Sequence, residues 1–133
     1  MSALARLLIL AAALLGLVAC SSEPVRAVKS AVQGAFQSRG DKLLADGIRQ
    51  FEEASYPAAS KSLQAALAEG LSTGDQVKAR KYLAFIHCVS ERLQQCQDEF
   101  RKALALDPGM ELDPAEAGHP SWGPAFRAAK ARR

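Results

Sequence analysis

Three cysteines are the residues of this 133-residue chain whose type and placement promise chemistry. Cys20 directly follows Leu17-Val18-Ala19, at the end of an apolar run from Leu7 to Ala19 that is preceded by a short basic start, Met1 to Arg6. Such a run is shorter than the roughly twenty residues that cross hydrocarbon as a helix, so it reads as the core of a secretory leader. Small residues ahead of the cysteine suit a peptidase that draws this backbone into an extended conformation. The stretch is a lipobox, and Cys20 is the predicted lipidation site, acylated once residues 1–19 are removed. An ordinary leader with an incidental cysteine and a short uncleaved anchor are the competing readings. Several acyl chains, at about 0.8 kcal/mol per buried methylene, hold a protein to a membrane.

Cys88 and Cys96 stand eight positions apart, on either side of Arg92. If the flanking segments are antiparallel helices joined by a short turn, the two positions face each other, and a disulfide needs its Cα atoms within about 7 Å. A disulfide is the first expectation and a pair of buried free thiols the second. Dithiol redox chemistry calls for about two intervening residues, which this spacing does not provide. Zinc would need His87, Cys88 and Cys96 together, yet neighbours on a helix point about 100° apart, and His119 lies far along the chain among prolines. No metal and no cofactor are therefore expected. His87 is read as a core or groove histidine bonded to a neighbour, and His119 as a turn residue satisfied by backbone.

Other chemistry finds no support. Neither a nucleophile elbow nor a glycine-rich phosphate loop is present. The carboxylates Glu52, Glu53, Asp98 and Glu99 are expected on solvated helix faces, so no catalytic residue is assigned and the chain is read as a non-enzyme. The formal charge of +3 falls by one when Arg6 leaves with the leader; it is small and evenly mixed, which argues against nucleic acid as a partner. The basic end, Arg127, Lys130, Arg132 and Arg133, is read as complementing a helix dipole in preference to binding lipid.

Positioning falls to helices. Hydrophobic residues make up 49% of the chain and aromatic ones only 6%, the composition of small-residue helical packing, and no segment reads as a strand. From Asp41, taken as an N-cap, Leu43, Leu44, Gly47, Ile48 and Phe51 give a first helix. Ser55-Tyr56-Pro57 starts a second, carried by Leu63, Ala66 and Leu67 and stopped near Gly70. Leu71 to Asp75 forms a joint, with Thr73 or Asp75 as the next cap. Val77 to Pro108 then holds two more helices: Ala79, Leu83, Ile86 and Val89 recur at helical spacing, Ser90-Glu91-Arg92 interrupts, and Phe100, Ala103 and Leu104 resume until Asp107-Pro108. Asp113-Pro114 caps a short turn, and Ala125 to Arg132 forms a last helix. The expected organisation is a leader at 1–19, a tether at 20–40 with a frayed helix from Val25 to Phe36, two helical hairpins at 41–108, and an elbow with a capping helix at 109–133. Trp122 and Phe126 are expected to cover the open end of the second hairpin.

Leu83, Ala84, Cys96, Phe100, Ala103 and Pro108 resemble the leucine-glycine pair, small residue, aromatic, alanine and closing proline of a tetratricopeptide repeat. Gly47, Tyr56, Ala59, Leu63 and Ala66 resemble an earlier copy, 37 positions upstream, although Gln50 and His87 replace the usual aromatic and the first copy lacks its proline. The implied fold is all-α: two tetratricopeptide-like hairpins plus a short C-terminal capping helix. In such repeats the first helix of each pair lines a concave face. By position that face takes Leu44, Ile48, Phe51 and Glu52 from one copy and Lys78, Lys81, Phe85 and Val89 from the other, a mixed apolar and basic groove for a partner's helix or tail. Phe51 and Phe85 could equally be core.

The lipobox, KYLAFIHCVSERLQQCQDEFRKALALDP and the tail ELDPAEAGHPSWGPAFR are together similar to the TssQ family of small lipoproteins associated with type VI secretion. That resemblance implies an accessory of a secretion apparatus with secretion-apparatus proteins as partners, no small-molecule substrate and no catalytic residues. Ser21 stands where lipoproteins kept in the inner membrane have aspartate, which implies the outer membrane, facing the periplasm; surface exposure stays open. A pilotin-like lipoprotein for a secretin or pilus, and an accessory to a cell-wall enzyme, are the alternative functions.

Overall fold

A computed structural model describes residues 37–132, all of whose regular structure is helical. The leader, Cys20 and the frayed helix expected up to Phe36 lie outside the described residues. Six helices follow one another: α1 (Arg39–Glu52), α2 (Tyr56–Glu69), α3 (Thr73–Val89), α4 (Leu93–Leu106), the single turn α5 (Pro114–Ala117) and α6 (Trp122–Ala131). Helix α1 packs mainly on α2 and α3 mainly on α4; α3 also touches α1, α2 and α6, so it is the axis of the assembly.

The helix starts differ from expectation. Ser38, not Asp41, caps α1: the Asp41 amide donates to Ser38 Oγ at 3.1 Å, and the Ser38 amide donates back to Asp41 Oδ2 at 3.0 Å. The fold thus begins inside the stretch expected to be tether, and Gly40 is buried against Gly70 and Leu71. Ser72 caps α3, its Oγ accepting from the Asp75 amide at 3.2 Å and donating to Asp75 Oδ2 at 2.7 Å; neither Thr73 nor Asp75 is the cap. In both cases a serine three residues ahead of an aspartate accepts from that aspartate's amide, and at Ser38 the aspartate side chain also takes the cap's own amide, a capping box. Helix α6 starts at Trp122, earlier than expected, and takes Gly123 and Pro124 into its first turn.

The two tight turns share one hydrogen-bond pattern. Ser55 N–H donates to Gln50 O and Ala54 N–H to Phe51 O; Arg92 N–H donates to His87 O and Glu91 N–H to Cys88 O. Ala54 and Glu91 carry the left-handed φ values of 57° and 60° that this helix ending requires. Each residue of the second turn matches one of the first at a constant offset of 37 positions, so the two turns share one backbone geometry.

Two apolar clusters fill the interior. One joins Leu44, Ala59, Leu63, Ala66, Ala79, Leu83 and Ile86 from α1, α2 and α3. The other joins Phe85, Cys96, Phe100, Leu104, Met110, Phe126 and Ala129 from α3, α4, the linker and α6. Gly47 lets α1 approach α2: a Cβ there would lie 2.7 Å from Leu63 Cγ. The elbow covers the second pair as expected, with Trp122 stacked on Phe85 at 4.1 Å and Phe126 edge-on to Phe100 at 5.2 Å.

Candidate functional site

Of the eight expected groove residues, the fold brings three together. Leu44 and Ile48 of α1 and Lys78 of α3 line a shallow groove of about 320 Å³, with Gln37, Asp41, Ala45 and Asp75. Its floor is apolar and its rim charged. Asp41 and Asp75 have part of their acceptor capacity committed to the helix caps, and Lys78 Nζ lies 3.6 Å from Asp75 Oδ1. The helical period does this: Asp41, Leu44, Ala45 and Ile48 fall on one face of α1 at spacings of three and four.

The other five, Phe51, Glu52, Lys81, Phe85 and Val89, do not line the groove. Phe85 is 1% exposed, because Trp122 is laid flat over it from a point 37 residues further along the chain. Phe51 is a half-buried junction between both clusters, within ring contact of Tyr56, Tyr82, Phe85 and Trp122. Lys81 is pinned: its Nζ donates to Glu116 Oε1 at 2.7 Å and sits 5.6 Å from the centroids of both Tyr82 and Phe85. Through Glu116, whose other oxygen accepts from the Asp113 amide, this lysine ties α5 to α3. Burial is the main cause that pushes the Tyr82 phenol above its ordinary range.

Cys88 and Cys96 lie on facing helices with Cα atoms 5.1 Å apart and sulfur atoms 2.08 Å apart, a disulfide pair. Cys96 is fully buried, and Cys88 Sγ lies 3.5 Å from Ser121 O, so the pair also abuts the elbow. The neighbouring His87 differs from expectation: its Nδ1 is buried without a hydrogen-bond partner. Burial, then the Arg92 cation, hold its pKa below the ordinary 6.5. His119 behaves as expected, its Nδ1 accepting from the amides of Ser121 and Trp122 at 3.2 and 3.4 Å while its ring stacks on Trp122.

Glu99 was expected on a wet face and is instead 9% exposed. Its carboxylate accepts from Arg80 at 3.0 Å and from Lys102 at 2.6 Å, binding α3 to α4 beside the second core. Periodicity around Phe100 and Ala103 could have placed it facing inward; its pairing with Arg80, 19 positions away, had no local signal. Among the described residues no three His, Cys, Asp or Glu side chains gather to hold a metal, and no helix is long and apolar enough to cross a membrane. The chain matches no protein family, no curated protein and no solved structure.

Proposed function

We propose that the chain is a non-enzymatic docking lipoprotein of the outer membrane, anchored through Cys20 and facing the periplasm, that serves a type VI secretion apparatus. Its helical pairs are tetratricopeptide-like repeats, and the groove of Leu44, Ala45, Ile48 and Lys78 receives a protein component of that apparatus. The observation that carries the reading is the repeated pair of helices, offset by 37 positions in turn geometry, with the first helix of each pair flanking an apolar-floored groove. The sequence support is the lipobox ending at Cys20 and the resemblance of the Tyr82 to Phe100 and Pro114 to Phe126 segments to the TssQ family.

Metabolic labelling with an alkyne fatty acid, followed by membrane separation, tests the anchor. The wild type should take up label and fractionate with outer membranes, and Cys20→Ser should do neither. Export by the secretion apparatus should fall in cells that carry Cys20→Ser or the groove variant Ile48→Asp. Unlabelled wild type, or full export by both variants, contradicts the proposal.

A further inference from the structure

A second cavity, of about 420 Å³, shares no lining residue with the groove; Tyr56, Pro57, Ser60, Ile86, Ser90 and Arg92 line it. It sits where the two pairs of helices meet, at the start of α2 and the turn into α4. Tyr56, Pro57 and Ile86 supply apolar surface. Three hydroxyl groups and the Arg92 guanidinium supply donors, and no carboxylate is among the lining residues. Tyr56, Ser60, Ser90 and Arg92 make no side-chain hydrogen bond or ion pair within the described residues, whereas Arg80 and Lys81 of α3 are both paired. Helices α2 and α4, which begin at this cavity, have neither an acid in the first turn nor a side-chain cap, a feature that α6 shares and α1, α3 and α5 do not. No first-turn acid therefore offsets the positive end of either helix dipole there.

A guanidinium with hydroxyl donors matches the planar, two-oxygen geometry of a carboxylate, and apolar walls beside it match a hydrophobic side chain. We propose that this cavity binds the C-terminal carboxylate of a peptide whose last residue is apolar. Arg92 pairs with the carboxylate, Ser60 and Ser90 donate to its oxygens, and Pro57 and the Tyr56 ring, with the buried Ile86 beneath them, receive the terminal side chain. The site does not rest on the groove reading, since it uses different residues and a different ligand group.

The test is an NMR titration of the full-length protein in detergent micelles with N-acetyl-Ala-Leu as the free acid, its carboxamide, and inorganic phosphate. The free acid should shift the Ser60, Ser90 and Arg92 amides saturably, with the carboxamide weaker by about tenfold or more, as expected for loss of a charge-assisted pair. Exposed Arg92→Gln should weaken the acid to the level of the carboxamide while leaving the Trp122 fluorescence and the melting temperature unchanged. Equal binding of acid and carboxamide, no saturable shift, or undiminished binding by Arg92→Gln overturns the site. Phosphate that reproduces the acid's shifts at the same midpoint overturns the peptide assignment and leaves only general anion attraction.

Discussion

The indole of Trp122 stacks on the ring of Phe85, 4.1 Å between centroids and 18° between planes, and the His119 ring stacks on the same indole at 3.8 Å. A C-terminal elbow is thereby built into the core of the second helical pair. Truncating Trp122 to alanine removes that ring contact, and large-to-small changes of aromatic core residues cost about 3–5 kcal/mol. Urea unfolding of Trp122→Ala, followed by circular dichroism, should show a loss of about 3 kcal/mol, the low end because the indole is only partly buried. An unchanged midpoint would mean that the elbow covers nothing that matters for folding.

The Cys88–Cys96 pair closes a short loop at the turn between α3 and α4. Loop closure of this length contributes about 2–3 kcal/mol in the chain-entropy picture. Reduction, or the double variant Cys88→Ala with Cys96→Ala, should lower stability by that amount, and alkylation of unreduced protein without denaturant should leave both positions unlabelled. Ready labelling of either thiol before reduction would refute the bond.

Glu99 bridges Arg80 and Lys102 with little solvent to replace it. In Glu99→Ala the Arg80 guanidinium loses its partner, and leaving such a group unsatisfied costs about 1–3 kcal/mol. Glu52→Ala, at an exposed position, should change stability by less than about 0.5 kcal/mol. Thermal melts of the two variants side by side measure the difference; equal melting temperatures would place Glu99 in solvent.

Backbone strain gives two opposite expectations. At Ala54 a left-handed φ is held without glycine, so Ala54→Gly should stabilise by up to about 1 kcal/mol. At Gly123 a Cβ would lie 2.1 Å from Ala117 O, so Gly123→Ala must push α5 from α6 and cost about 1–3 kcal/mol or more. Chemical denaturation of both variants checks the signs, and a stabilised Gly123→Ala would contradict the close approach.

His87 is held neutral, by burial first and by Arg92 second. The unfolded chain binds a proton at its ordinary pKa while the folded chain resists it, so the unfolded state carries more protons below that value. The stability due to this group is complete above 6.5 and declines as pH falls through 6.5 towards the depressed folded value. His87→Gln should flatten that acid-side decline. A wild-type stability that rises as pH falls through the same window would reverse the assignment.

The four long helices and the covering role of Trp122 and Phe126 were legible because apolar residues recur at helical spacing and because prolines and glycines punctuate them. The caps were not legible: position alone points to Asp41 and to Thr73 or Asp75, whereas Ser38 and Ser72 accept from the Asp41 and Asp75 amides, so each helix starts one residue after its serine. The groove was legible at three of the eight expected positions. Leu44, Ile48 and Lys78 follow from position along α1 and α3, whereas the burial of Phe85 and the pinning of Lys81 depend on Trp122 and Glu116, which the chain brings back from a distant segment. Glu99 escaped for the same reason, since its partner Arg80 lies on another helix.

Photocrosslinking in living cells from a photoreactive amino acid placed at Ile48, in wild-type and Cys20→Ser backgrounds, tests docking and anchoring together. The account predicts a discrete adduct with an envelope component of the secretion apparatus, lost when Cys20 is replaced. An adduct that persists unchanged in Cys20→Ser, or the absence of any adduct with that apparatus in wild-type cells, would contradict it.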